Sequence, residues 1–328
     1  MAQISKSEKL PAIYMLDPYH PDAIQKLKEA PNVRLILPND PSKSNFHQDA
    51  SILLLRSETR ITKSEIMQCK RLQCIIKQGV GVDNIDLQAC HEAKIQVYNT
   101  PGLNSESVAE LSIAMALYIA RRIGEIDHLI RKGDYVIRSN YLGKSLYGKT
   151  IGIIGMGGIG FELAKKWVGA MEGKVLGYDP YCSTVEKWKD QLSDRFTRCS
   201  SLEKILESSD VISLHLPLTE NTKNLISHEQ FSIMKSDAIL LNCARGGIVD
   251  EEALKCVLEK GKLFGVGLDA LSIEPPTKKD HSDLLKFPNV LLTPHIGAST
   301  KENQSKSGLK AVEMALQFLS GELTSKPL

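Results

Sequence analysis

Thr150–Gly160 reads TIGIIGMGGIG, and the glycine spacing inside it decides the architecture of half the chain. An apolar strand run, Ile151–Ile154, leads into Gly155, Gly157 and Gly160, which fit GxGxxG, and a helical pattern follows over Gly158–Ala170. Gly155 permits a tight turn, Gly157 lets the backbone approach a pyrophosphate, and Gly160 lets helix and strand pack closely. The helix N-terminus, at Gly158 and Ile159, offers N–H groups and a positive dipole to an anion. Such a glycine pattern is weak evidence alone. Here the next strand, Lys174–Tyr178, ends in Asp179, and an acid about twenty residues on is where ribose hydroxyls are held. That carboxylate repels a 2′-phosphate, and Pro180-Tyr181-Cys182 brings no arginine to reverse it, so NAD is expected rather than NADP.

Outward from this motif, β-rich runs alternate with helical patterns. Before it come strands Ile13–Leu16, Val33–Leu37, Ile52–Leu55, Cys74–Lys77 and Ile95–Tyr98, with helices such as Pro21–Ala30 and Thr62–Cys69 between. After it come Val211–Leu216, Ala238–Asn242, Leu263–Leu268 and Val290–Thr293, with helices at Ser201–Glu207 and Asp250–Lys260. Alternation of this kind calls for parallel sheets covered by helices on both faces. Two such series in 328 residues make two α/β domains, joined near the turn Asn99-Thr100-Pro101-Gly102. The helix from Glu106 to about Ile123 is apolar nearly all round and must be covered on most sides, by another domain or a second subunit.

Hydrophobic residues are 42% and charged residues 24% of the chain, with a net charge of +2. That balance draws it neither to nucleic acid nor to a membrane surface. Residues 1–20 contain no apolar run of secretory length, and Leu111–Ala120 is too short to span a bilayer. The seven cysteines have no metal-ligand spacing and no CxxC pair, so they are read as reduced, buried thiols in a cytoplasmic protein, with no metal site.

Three strand ends carry polar residues: Asn242-Cys243-Ala244-Arg245-Gly246-Gly247, Leu268–Pro276 and Thr293–Thr300. Ligands bind at the carboxyl ends of strands in open α/β sheets. An arginine, an acid and a histidine delivered there suit hydride chemistry on an oxo acid. The other seven histidines, His20, His47, His91, His128, His215, His228 and His281, lack such a setting and are assigned no chemistry.

With Gln78–Asp86, Asn99–Gly102, the glycine fingerprint, Asn242–Asp250 and Pro294–Lys301 in this order, the chain resembles the D-specific 2-hydroxyacid dehydrogenases, most of all their D-3-phosphoglycerate dehydrogenase branch. The resemblance covers nearly the whole chain. It implies a Rossmann domain, residues 103–296, inserted in a flavodoxin-like substrate domain made of 1–102 and 297–328, with catalysis in the cleft and hinge crossings near Pro101–Asn104 and Ile296–Ser299. Carried over by motif, Arg245 pairs with the substrate carboxylate and polarises the C2 oxygen. His295 is the general acid and base, and Glu274 holds its imidazole and favours the charged form. Asp269 holds the nicotinamide carboxamide, helped by Cys243 and Ala244, and Leu216, Pro217 and Ala298 also line the cofactor. The turn Gly79-Val80-Gly81 presents N–H groups to the substrate carboxylate. The resemblance further implies a homodimer through the Rossmann domain, which the apolar helix around Leu111–Ala120 would suit.

Arg56, with Ser57 beside it, and Lys77 are the cations expected near a phosphorylated substrate; Arg60, Arg138 and Lys144 are weaker candidates. Oxidation of 3-phosphoglycerate to 3-phosphohydroxypyruvate, in serine biosynthesis, is the leading expectation. Reduction of glyoxylate, hydroxypyruvate or a bulkier 2-oxo acid is the alternative. A different class on the same scaffold is an NAD-sensing transcriptional corepressor, but no appended interaction tail is recognised. No serine-binding regulatory extension is expected after the final helical pattern.

Overall fold

The computed structural model describes residues 10–328; the part of the secretory-leader reading that rests on residues 1–9 lies outside them. Twelve strands follow in chain order: β1 Ala12–Met15, β2 Arg34–Ile36, β3 Ala50–Leu55, β4 Cys74–Lys77, β5 Gln96–Asn99, β6 Thr150–Ile154, β7 Lys174–Tyr178, β8 Phe196–Arg198, β9 Val211–Leu214, β10 Ile239–Asn242, β11 Gly265–Leu268 and β12 Val290–Leu292. Two compact units result. One is the chain up to Asn104 together with Ser299–Leu328, and the other is Ser105–Ala298. The crossings lie two residues beyond the expected 102/103 and 296/297. At the second, Ile296 and Gly297 are tied to Asp269 by backbone N–H bonds and so stay with Ser105–Ala298.

In the first unit five strands pair in the order β2-β1-β3-β4-β5, all parallel. That is the flavodoxin-like order. Ala50–Leu55, ASILLL, is buried at every position, as a strand with both faces covered requires. One face packs against helices Pro21–Lys28 and Lys301–Ser320, through Ile13, Ile52, Leu54 and Ile76 against Ala23, Leu27, Val312 and Ala315. Thr300 caps the later helix by accepting the Asn303 N–H, and Gly321, at φ +75°, ends it.

In the second unit seven parallel strands run β12-β11-β10-β9-β6-β7-β8. Counting from β6, this is the Rossmann order 3-2-1-4-5-6 with one strand more. Helix Ser105–Ala120 lies in this unit's own core, where Val108, Met115, Ala116, Ile119 and Ala120 pack with Ile151, Ile153, Leu241 and Trp167. Its apolar character is therefore satisfied largely within the fold, not saved for a second subunit. Among the described residues no helix is long and apolar enough to cross a membrane.

Candidate active site

The glycine loop after β6 has the form of an anion cradle. Gly155 sits at φ +101°, and a Cβ there would lie 2.3 Å from the His215 carbonyl oxygen, so only glycine fits. A Cβ on Gly160 would meet the Gly155 carbonyl at 2.3 Å, whereas one on Gly157 would meet nothing within 4 Å. The loop is thus packed on its inner side and bare on its outer side. No side chain caps the helix Gly158–Met171, which leaves its N-terminal donors to a ligand. Ile159 turns back toward the core, and Leu216 flanks Gly155 while Pro217 is exposed beyond it. At the tip of β7, Asp179 accepts the Met156 N–H at 3.0 Å and the Tyr181 N–H at 2.8 Å. A carboxylate has about four acceptor sites, so this leaves capacity for ribose hydroxyls. Arg198, at the end of β8, donates to the Asp179 carbonyl at 3.1 Å. The sequence reading missed this arginine because it comes from a neighbouring strand only three residues long.

At the carboxyl ends of β10, β11 and β12 the structure brings three remote groups together. His295 Nδ1 lies 2.9 and 3.2 Å from the two carboxylate oxygens of Glu274. Glu274 also accepts the Leu271 N–H at 3.1 Å. Burial opposes ionisation of Glu274, but the bond and charge of His295, the Leu271 N–H and the charge of Arg245 outweigh it and hold the carboxyl below its ordinary value. Arg245 is anchored by Nη1 to the Ala244 carbonyl at 2.7 Å. Asn242, buried at the end of β10, ties the Arg245 and Ala270 carbonyls with its amide and takes the Ala244 N–H on its oxygen.

Asp269 is a junction of this region. Its carboxylate accepts Thr293 Oγ1 at 2.6 Å, the Ile296 N–H at 2.8 Å and the Gly297 N–H at 2.9 Å. These bonds bracket His295, whose backbone is left-handed at φ +57° and needs such support. Three of its about four acceptor sites thus hold the histidine turn. Cys243 is buried with Sγ against Met115, and burial pushes its thiol up to about 12, so it is an inert wall. Ala244 is buried beside it, and Ala298 is half-buried at the end of the unit.

A family model described as D-isomer specific 2-hydroxyacid dehydrogenase, NAD binding domain, matches residues 113–297. The chain is 39% identical over 315 residues to D-3-phosphoglycerate dehydrogenase of Methanocaldococcus jannaschii, covering 95% of this chain and 58% of that protein. It is 40% identical over 271 residues to hydroxypyruvate reductase of Thermotoga maritima, covering 83% and 85%. The chain belongs to the D-isomer specific 2-hydroxyacid dehydrogenase family. Residues 113–297 are that family's NAD-binding domain, and the packed-inside, bare-outside glycine loop with Asp179 beside it fits the dinucleotide. The crystal structure of D-lactate dehydrogenase from Aquifex aeolicus complexed with NAD and lactic acid is similar to this chain with a TM-score of 0.80 at 29% identity, covering 95% and 96%. The chain spans a little over half the length of the Methanocaldococcus protein.

The other residues expected to meet substrate lie in the first unit, at or just after the ends of β3 and β4. Lys77 is buried, its ammonium 3.1 Å from Ser57 Oγ and beside Gly79. Arg56 donates to the Pro18 carbonyl at 3.0 Å and lies 3.6 Å from Glu58. The turn differs from expectation in one respect. Gly79, at φ +120°, gives its N–H to Thr100 Oγ1 at 2.8 Å, so that donor is spent within the fold. Asp17, unmarked in the sequence, accepts the Arg56 and Thr59 N–H groups and the Thr59 hydroxyl. Asn84 grips the Arg56 and Thr59 carbonyls from the other side. Lys144 is not at a site: it bonds Asp237, before the amino end of β10.

Proposed function

We propose that this chain is an NAD-dependent dehydrogenase of D-2-hydroxy acids, with 3-phosphoglycerate oxidation to 3-phosphohydroxypyruvate as its reaction. The observation that carries the reading is the imidazole of His295 held through Nδ1 by Glu274 at 2.9 Å, in the unit that bears the dinucleotide cradle. Nδ1–H donated to the carboxylate leaves Nε2 to exchange a proton with substrate. In oxidation Nε2 takes the C2 hydroxyl proton; in reduction it returns that proton to the C2 oxygen. Bound NAD supplies the hydride acceptor. Arg245 pairs with the C1 carboxylate, and its charge, with that of His295 once protonated, favours the ionised form of Glu274. Leu216, Pro217, Ala244 and Ala298 line the cofactor. From the first unit, Val80 and Gly81 bind the carboxylate, and Lys77, Ser57 and Arg56 take the substituent on C3. Asp179 directs the choice of NAD over NADP. The Ser105–Ala298 unit is the cofactor domain and the other the substrate domain.

One observation favours hydroxypyruvate or glyoxylate reduction instead: the Arg56 guanidinium is already engaged by Pro18 and Glu58, which weakens its hold on a phosphate. Turnover with NADH against 3-phosphohydroxypyruvate, hydroxypyruvate, glyoxylate and pyruvate separates the readings. The leading one requires the phosphorylated substrate to have the highest kcat/KM; NADH binding with no turnover of any would refute both.

We further propose a cytoplasmic homodimer. All seven cysteines are free thiols. The segment after Ala120 presents Ile123, Ile130, Tyr135, Ile137, Leu142 and Tyr147 to solvent, Tyr135 at 92% and Leu142 at 72% exposure, and helix Ile123–Lys132 buries no residue. Apolar side chains gathered along one segment mark a surface covered by another chain, and a second copy supplies the same segment symmetrically.

A further inference from the structure

Glu274 reaches His295 from an irregular loop, and a carboxylate on such a loop needs outside support to hold its aim. That support is visible one layer behind it. Glu251 accepts the Ser272 N–H at 2.7 Å on one oxygen and the Ser272 hydroxyl at 2.9 Å on the other. The buried ring of His281 bonds the Ile273 carbonyl through Nε2 at 3.0 Å, and its Nδ1 lies 3.7 Å from Glu251. A carbonyl only accepts, so Nε2 carries the proton and Nδ1 faces the Glu251 carboxylate. The two residues before Glu274 are therefore held separately, Ser272 by the Glu251 carboxylate and Ile273 by the His281 ring.

The platform is firm. Glu251 opens the helix Glu251–Glu259, where a carboxylate suits the dipole. Asp250 caps that helix through the Ala253 N–H at 3.1 Å and is itself held by Ser227 at 2.8 Å. The backbone of His281 closes two turns, receiving the N–H groups of Leu284 and Leu285 and donating to Thr277.

We propose that Glu251 and His281 are positioning residues, which fix the Glu274 carboxylate against His295 Nδ1. The proposal rests on the dehydrogenase reading above. A histidine that only filled the core would affect stability and leave the Glu274–His295 geometry alone.

The test compares H281A, H281Q and S272A in the full chain, using NADH with whichever oxo acid the native protein reduces best. Displacing a catalytic group by about 1 Å can cost about 100-fold, so H281A should lower kcat by about 10- to 100-fold with substrate KM and NADH affinity nearly unchanged. H281Q, whose amide reaches the Ile273 carbonyl, should regain most of the loss. S272A removes one bond to Glu251 and should give a smaller loss of the same kind; it also decides the matter should H281A not fold. The His295 ring cross-peaks in long-range 15N–1H spectra should move in each alanine variant. That readout needs no turnover, so an inactive native protein would count against the dehydrogenase reading while the positioning role was still decided. A folded H281A or S272A with native kcat and unmoved His295 peaks would overturn the proposal, as would a loss that H281Q leaves unrepaired.

Discussion

Gly246 offers a sharp test of how the Arg245 and Glu274 loops are set against each other. A Cβ built there lies 1.8 Å from the Leu271 carbonyl oxygen, 2.2 Å from its carbon and 2.8 Å from the Ser272 nitrogen. All three are backbone atoms, so no side chain can swing away. A normal contact of about 3.5 Å requires the loops to part by roughly 1.7 Å. That displacement acts directly between Arg245, which precedes Gly246, and the turn that carries Glu274. Since about 1 Å of misplacement can cost about 100-fold, Gly246→Ala should lower kcat/KM by at least about 100-fold. Overpacking of this kind also costs about 1–3 kcal/mol of stability, a fall in Tm of several degrees. NADH affinity, measured by fluorescence titration, should stay within about threefold, because the glycine cradle follows β6, two strands away in the sheet. Steady-state kinetics and a thermal melt on the purified variant read both effects. A folded Gly246→Ala protein with native kcat/KM would show that the two loops need not be held in register.

Removing the acid–base group, His295→Ala should lower turnover by about two to four orders of magnitude with NADH binding intact; near-native turnover would remove His295 from the mechanism. Glu274, held below the ordinary carboxylate range, contributes stability that is complete above its unfolded pKa of about 4.3 and is lost as pH falls through the folded value. The stabilisation of native protein over Glu274→Gln should therefore shrink as pH falls below about 4; a Tm difference unchanged from about pH 5 down to about pH 3 would contradict the ion pair. NADH should exceed NADPH in kcat/KM by at least about tenfold because of Asp179, and equal use of both would transfer control of that choice to Arg198. Light scattering should give twice the monomer mass for native protein and the monomer mass for a Tyr135→Asp, Leu142→Asp double variant. A native monomer at micromolar concentration would refute the dimer.

The strands and the cradle were legible because their signals are local. Ile151–Gly160 carries its own strand, turn and helix start, and Cys74–Lys77 and Lys174–Tyr178 begin and end where the β-rich runs do. Phe196–Arg198 escaped notice because three residues, two of them exposed, carry no periodicity. Helix Ser105–Ala120 misled in a different way: its apolarity on all sides reads equally as a subunit contact or an interior helix, and only packing against Leu241 and Trp167 separates the two. The grouping of Arg245, Glu274 and His295 could be expected from strand ends and family resemblance. The support behind them could not. Glu251 looks like an ordinary first-turn acid and His281 like a histidine in a polar loop, and Asp17 is a lone acid after a strand. Each acts through a backbone group beyond its own turn or element, and no spacing rule records such a bond.

The five-stranded unit is completed by a segment that follows the other unit in the sequence. Its face of Ile13, Ile52, Leu54 and Ile76 lacks Val312 and Ala315 until helix Lys301–Ser320 has been made. During synthesis that apolar face must wait, covered only by helix Pro21–Lys28, while all of Ser105–Ala298 leaves the ribosome and folds. The nascent chain is thus most vulnerable to self-association late in translation, and a premature stop before Lys301 would release a folded nucleotide-binding unit attached to a sticky, half-built partner.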